Sequence, residues 1–190
     1  MNIFIAGVGG QGAVLASKLL ARCAMRRGEA AHTAETIGMA QRGGCVTSHV
    51  RIGECASPLI PKGQADVLLA FEPAEAVRSL EYLTKDGYLI VSTAAVKPVT
   101  DILSESGYTA DVMLEYLKAV PYRTVFVDGE AIAKECGSQK ALNMALLGAA
   151  AACGAIGITP ELLTETVSEM SPKFREMNRK AIEMGAASAK

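Results

Sequence analysis

The chain opens Met1-Asn-Ile-Phe-Ile-Ala-Gly7-Val-Gly9-Gly10-Gln11-Gly12, an apolar run that breaks into a Gly-x-Gly-x-x-Gly turn and passes into a helical pattern. A strand, tight turn and helix in that order form the first unit of a parallel-sheet domain whose edge is built for a phosphate or a partner. Residues 3–6 read as a buried strand. Gly7 is expected to permit the turn, Gly9 to let the backbone approach whatever lies over it, and Gly12 to let the helix pack on the strand. The helix N-terminus would then offer unpaired N–H groups and a partial positive charge. Taken alone, the motif leaves open whether a nucleotide, a protein or nothing meets this edge.

The rest of the chain extends the same pattern. Residues 11–27 carry Val14, Leu15, Leu19, Leu20 and Cys23 on one helical face and end in Arg26-Arg27 before Gly28, the expected stop signals. Residues 29–34 read as a second strand whose only apolar residue type is alanine. Residues 35–44 are polar, glycine-rich and aperiodic, hence an exposed loop. Residues 45–52 alternate, with Val46, Ser48, Val50 and Ile52 on one face and Thr47, His49 and Arg51 on the other. Residues 66–71 form a continuous apolar run suited to a central strand, and Glu72-Pro73 begins a helix to about Leu83. Strands are expected over 87–92 and over 123–127, ending at Asp128-Gly129, and a short helix over 111–118. Residues 141–160 carry no charge. Alanine and glycine dominate there and Asn143 interrupts, so the stretch reads as a helix buried in the core or an interface rather than a membrane span. Gly148, Ala152 and Gly154 would allow close helix packing. Thr159-Pro160 and Ser171-Pro172 both look like helix starts, and residues 185–190 are expected to fray. The predicted fold is three-layer α/β/α, Rossmann-like, with a mainly parallel sheet and additional C-terminal helices, in one domain over residues 1–190.

Composition narrows the partners. Half of the 190 residues are hydrophobic, the formal net charge is −1 and the pI is near 6.2, so the chain carries no electrostatic footprint for nucleic acid or an anionic membrane surface. Met1 leads straight into the first strand with no leader pattern, which predicts a cytoplasmic location. Cys23, Cys45, Cys55, Cys136 and Cys153 form no C-x-x-C pair, which argues against a cluster or zinc site built by this chain and for reduced thiols. No metal site is expected.

A dinucleotide site would need an acid about 20 residues beyond the turn to hold a ribose. Glu35 is placed for it. Independent dehydrogenase chemistry has less support, because no Tyr-x-x-x-Lys follows any tyrosine and neither His32 nor His49 has a clear acidic partner. The second unusual stretch is Gln41-Arg42-Gly43-Gly44-Cys45-Val46-Thr47-Ser48-His49-Val50-Arg51. Arg42 beside two glycines can present a bidentate guanidinium to a phosphate or carboxylate. The alternative is a Gly-Gly turn entering a strand, with Arg42 and Arg51 simply solvated.

Both motifs together resemble the gamma-type subunit of 2-oxoacid:ferredoxin oxidoreductases. The opening Phe-Ile-Ala-Gly-Val-Gly-Gly-Gln-Gly-Ala-Val-Leu-Ala-Ser-Lys-Leu-Leu, the later Glu35-Thr-Ile-Gly-Met-Ala-Gln-Arg-Gly-Gly and the Val-x-Ser-x-Val-Arg strand carry the likeness, which is strongest to the small (beta) subunit of indolepyruvate:ferredoxin oxidoreductase. The resemblance implies a complex that oxidatively decarboxylates a 2-oxoacid, uses coenzyme A as co-substrate to accept the acyl group, and passes electrons to ferredoxin. It also implies that thiamine diphosphate, Mg and 4Fe-4S clusters belong to a large partner subunit, with ferredoxin engaged through the complex and no catalytic residue assigned here. In isolation, pairing with a second copy is the expected alternative to the complex. The present chain has neither clustered cysteines nor a Gly-Asp-Gly…Asn-Asn pattern for thiamine's diphosphate, in agreement. The expected cofactor-binding or partner-facing edge is Gly7, Gly9, Gly10, Gln11, Gly12, Glu35, Arg42, Gly43, Gly44 and Ser48. The competing readings are a self-sufficient NAD(P)- or FAD-binding protein and a non-catalytic scaffold subunit.

Overall fold

The computed structural model of the chain describes residues 1–37, 44–96 and 109–189. Six strands, β1 (Asn2–Val8), β2 (Ala31–Ile37), β3 (Cys45–Ile52), β4 (Ala65–Ala70), β5 (Leu83–Ser92) and β6 (Arg123–Val127), form one sheet in the order β2-β3-β1-β4-β5-β6. β1, β4, β5 and β6 pair in parallel, whereas β3 runs antiparallel to both β1 and β2. The sheet is therefore mainly parallel with one reversed strand next to its centre.

Both faces of β1 are buried, and its alternation sorts them. Ile3 and Ile5 join Val67, Leu69 and Ile90 in the larger core, while Phe4 and Ala6 join Leu68, Leu89 and Val91 in the smaller one. The larger core lies under α1 (Ala13–Arg26), α4 (Gly129–Glu135), α5 (Ala141–Ala152), α6 (Pro160–Met170) and α7 (Arg175–Ala187); the smaller lies under α2 (Pro73–Ser79) and α3 (Ala110–Ala119). A strand covered on both sides needs apolar residues at every position, which is why β1 and β4 read as continuous runs. β2 sits at the sheet edge, and its half-polar sequence Ala-His-Thr-Ala-Glu-Thr-Ile tolerates that.

Helix boundaries departed from expectation in four places. The helix after Glu72 ends at Ser79, and a single turn of 3-10 helix (Leu80–Tyr82) leads directly into β5. α4 follows β6 where only a strand end was expected; the Asp128 carboxylate caps it by accepting the Ala131 N–H at 3.0 Å. The uncharged stretch is helical only over Ala141–Ala152, about 18 Å of helix and too short for a bilayer. No helix among the described residues is long and apolar enough to cross a membrane.

Residues 185–187 do not fray. Gly185 is buried in α7, which crosses α5 so closely that a Cβ at Gly185 would lie 1.9 Å from the Ala145 carbonyl oxygen, and one at Gly148 2.2 Å from that of Ile182. Gly148 thus has the packing role expected of it. Ala152 and Gly154 are exposed, and Gly154 instead ends α5 in a left-handed conformation.

Candidate functional site at the C-terminal sheet edge

β1, β2, β4, β5 and β6 all end at one edge of the sheet, and β3 begins there. Five connections therefore meet: the glycine turn after β1, Gly44-Cys45, Phe71-Glu72, residues 93–96 and Asp128-Gly129. Gly9 donates its N–H to the Gly44 carbonyl at 2.9 Å, tying the two glycine motifs together. Arg42 and Gly43 lie outside the described residues.

Gln11 organises the turn. Its Oε1 accepts the Val8 N–H at 2.8 Å and its Nε2 donates to the Phe71 carbonyl at 3.1 Å, so one carboxamide joins the ends of β1 and β4. The last backbone rung beneath it is Phe71 N–H to the Ala6 carbonyl at 2.8 Å. Gly7 is still within β1 and not part of the turn. It lacks a Cβ because Gln11 Oε1 and the Phe71 Cβ occupy that space, 2.8 and 2.9 Å from where one would stand. The positive φ values fall at Gly10 (104°) and Gly12 (89°). Gly12 also packs on something other than the strand: an added Cβ would meet the Asn143 Nδ2 of α5 at 2.6 Å. Asn143, which merely interrupts an apolar run in the sequence, thus buttresses the turn from below.

The crest Gly9-Gly10 separates two clefts. One, about 450 Å³, is lined by Val8, Ala13, Val14 and Val46 together with Gly9, Gly10 and Gly12. At this cleft α1 starts with no side-chain cap and no acid in its first turn, leaving backbone N–H groups for a ligand or a partner. The other, also about 450 Å³, is lined by Gly10, Gln11, Ala94, Ala95, Val96, Glu130, Gln139 and Leu142. Glu130, Gln139 and Leu142 were not legible as site residues, because α4 and the start of α5 reach this edge only through tertiary packing.

Two expected members stand apart from the crest. Ser48 lies three residues along β3 from its start, about 10 Å from the edge, fully buried and opposite Glu35 in the β2–β3 register. Glu35 accepts a hydrogen bond from Ser17 Oγ of α1 at 3.0 Å. The dinucleotide geometry fails here for a topological reason. A ribose-binding acid belongs on the parallel strand next to β1, but that neighbour is antiparallel β3 and Glu35 is one strand further out. Arg51 is at the opposite end of β3, holding Asn2 Oδ1 at 3.0 Å and the Ser57 carbonyl at 2.9 Å, so it is not a solvated side chain.

On the α2 side, Glu72 caps its own helix by accepting the N–H groups of Ala74 (2.7 Å) and Glu75 (3.1 Å). Buried Glu75 pairs with Arg78 and lies against the Cys45 thiol. Burial, with the Glu75 hydrogen bond and negative charge, pushes that thiol up to about 11, which makes it a poor nucleophile at neutral pH. His49, buried edge-on against the stacked Phe4 and Tyr82 rings, accepts the Ile60 N–H through Nδ1 at 3.0 Å, and burial lowers its pKa. Among the described residues no three His, Cys, Asp or Glu side chains gather as a metal site.

An uncapped helix start, two clefts around a glycine crest and a thiol held neutral mark the C-terminal sheet edge of this α/β protein. The sequence matches the pyruvate ferredoxin/flavodoxin oxidoreductase family over residues 2–188, and the chain belongs to that family as a small, gamma-type subunit. It is 41% identical over 187 residues to the indolepyruvate oxidoreductase subunit IorB of Archaeoglobus fulgidus, covering 97% of this chain and 93% of that one. It is 32% identical over 180 residues to the pyruvate/ketoisovalerate oxidoreductases common subunit gamma of Pyrococcus abyssi, covering 92% and 89%. Among solved structures it is similar to the keto/oxoacid ferredoxin oxidoreductase gamma subunit of Geobacter sulfurreducens, with a TM-score of 0.71 and 26% identity over 99% of this chain and 97% of that one.

Proposed function

We propose that the complex containing this subunit oxidises an arylpyruvate such as indolepyruvate in the cytoplasm, converting it with coenzyme A to acyl-CoA and CO2 while ferredoxin is reduced. The higher identity to the indolepyruvate-named relative than to the pyruvate/ketoisovalerate gamma subunit supports the arylpyruvate branch. Thiamine diphosphate, Mg and the iron–sulfur clusters are assigned to a large partner subunit, where thiamine supplies the decarboxylation of the 2-oxoacid. The described lining of the two clefts, glycine backbone, apolar walls, two amides and the Glu130 carboxylate, supports that assignment.

The observation that carries the reading is the crest itself. Gly9-Gly10 stands at the end of a sheet, tied to the second glycine motif, with the uncapped start of α1 on one flank. In this reading the edge Gly9, Gly10, Gln11, Gly12, Gly43 and Gly44 faces the partner's active site or a coenzyme A phosphate, Gly7 lies beneath it and makes room for Gln11, and Arg42 supplies the cation. The N–H groups of α1 and the Arg42 guanidinium then orient an anion, and the apolar cleft keeps water from it. Residues 1–190 act as one domain, with Glu35 and Ser48 as a support beneath α1. Arg42→Ala in the assembled complex is expected to lower acyl-CoA formation while leaving assembly intact. Unchanged kinetics with unchanged assembly would remove Arg42 from the site. Calorimetry of the chain with NAD, NADP or FAD is expected to give no tight binding, and tight binding would favour a self-sufficient dinucleotide protein.

A further inference from the structure

We infer that Gln11 is a positioning residue that sets the crest for the partner's reaction, because its single carboxamide replaces the missing last rung between β1 and β4. The inference rests on the reading that this edge meets the partner's active site. The geometry is specific to an amide. One atom must accept from the Val8 N–H at 2.8 Å while another donates to the Phe71 carbonyl at 3.1 Å. Gly7 leaves the space that Oε1 fills, so the side chain has one place to stand. Above it, Gly10 has φ of 104° and nothing within 4 Å of a would-be Cβ, so the height of the crest is set by hydrogen bonds, those of Gln11 and that of Gly9 to Gly44, and not by packing at Gly10. Both clefts share Gly10 as a wall, and one of them has Gln11 as a wall too. Loss of the Gln11 clamp would therefore move both clefts together.

The test is Gln11→Glu in the assembled complex. A neutral carboxyl group has the same pattern as the amide: its carbonyl accepts from Val8 and its O–H donates to Phe71. An ionised one has no donor and sets a negative charge against the Phe71 carbonyl. The variant should match the wild type at acidic pH. As the carboxyl ionises, the KM for coenzyme A should rise by about ten- to a hundredfold relative to wild type at the same pH, the scale expected for misplacement by about an ångström. The KM for the 2-oxoacid should stay unchanged. Hydrogen exchange of the peptide spanning Val8 to Gly12, measured on the same complex and divided by the wild-type rate at the same pH, should quicken over that pH range. A variant-to-wild-type exchange ratio that stays constant across that pH range would overturn the clamp. Exchange that quickens relative to wild type while the kinetics stay at wild-type values would confirm the clamp but overturn its role in the reaction, whereas the partner-facing reading itself is decided by Arg42→Ala.

Discussion

Replacing Gly185 by alanine probes the close crossing of α7 on α5, and the outcome has a definite sign. Helix propensity alone favours alanine over glycine in a helix by about 1 kcal/mol. The structure reverses that preference. A Cβ at Gly185 would lie 1.9, 2.5 and 2.7 Å from the carbonyl oxygen, carbonyl carbon and Cα of Ala145, all backbone of α5 with no rotamer to escape into. To restore ordinary contact α7 must back away by about 1.5 Å, which loosens the buried side chains around Ile182, Ala181 and Leu146 and forfeits much of their dispersion attraction. Overpacking costs about 1–3 kcal/mol, and a clash this deep against fixed backbone belongs at the top of that range, so about 3 kcal/mol less the propensity gain of about 1 leaves a net loss of about 2 kcal/mol. For a chain of this size that is a fall in Tm of about 4–8 °C. Urea unfolding should show a lower midpoint at an unchanged slope. Gly148→Ala should give a similar loss, and the double variant less than the sum, because the helices need to part only once. An alanine at 185 that leaves stability unchanged or raises it would refute the crossing.

Two further outcomes follow from the edge and its flanks. His49 must stay neutral to accept the Ile60 N–H, and its folded pKa lies below the ordinary 6.5. The unfolded state therefore binds the proton first, and stability should fall as pH drops below about 6.5 and level off beneath the folded value. His49→Asn, which keeps an acceptor without the titration, should show a flatter profile in urea unfolding between pH 7 and 5; an identical slope in the two proteins would count against the assignment. Cys45 is exposed, yet with its pKa near 11 only about 0.1% of it is thiolate at pH 8. Alkylation should be slow, climb with pH beyond 9 and speed up in Glu75→Gln, whereas rapid labelling of the wild type at pH 7 would contradict the partial desolvation of the thiol and the Glu75 contact that hold it neutral.

Much of this was legible from local pattern. The β1 run, the helix after it, the two-faced alternation of β3 and the Thr159-Pro160 helix start each depend on residues a few positions apart. The structure shows, for example, Thr159 Oγ1 accepting the Leu162 N–H at 3.3 Å. β2 was legible only faintly, since an edge strand can keep polar residues that a central strand cannot. α4 left a signal that was misread: Asp128-Gly129 ends a strand and caps a helix at the same time.

The glycine turn itself divides along the same line. Its sequence by itself determined that a strand ends, that left-handed backbone follows and that a helix starts, because φ preferences and helix periodicity are properties of neighbouring residues. It also determined family membership, through two motifs at a fixed distance. Only the tertiary structure decided why each glycine is there. Gly7 makes room for Gln11 and Phe71, Gly12 for Asn143, and Gly9 meets Gly44, contacts between residues as much as 131 positions apart. The placement of antiparallel β3 beside β1, which moves Glu35 out of ribose position, is likewise a choice among strand orders. Local preferences cannot make that choice, because it is settled by which faces bury the most apolar surface once all six strands are present.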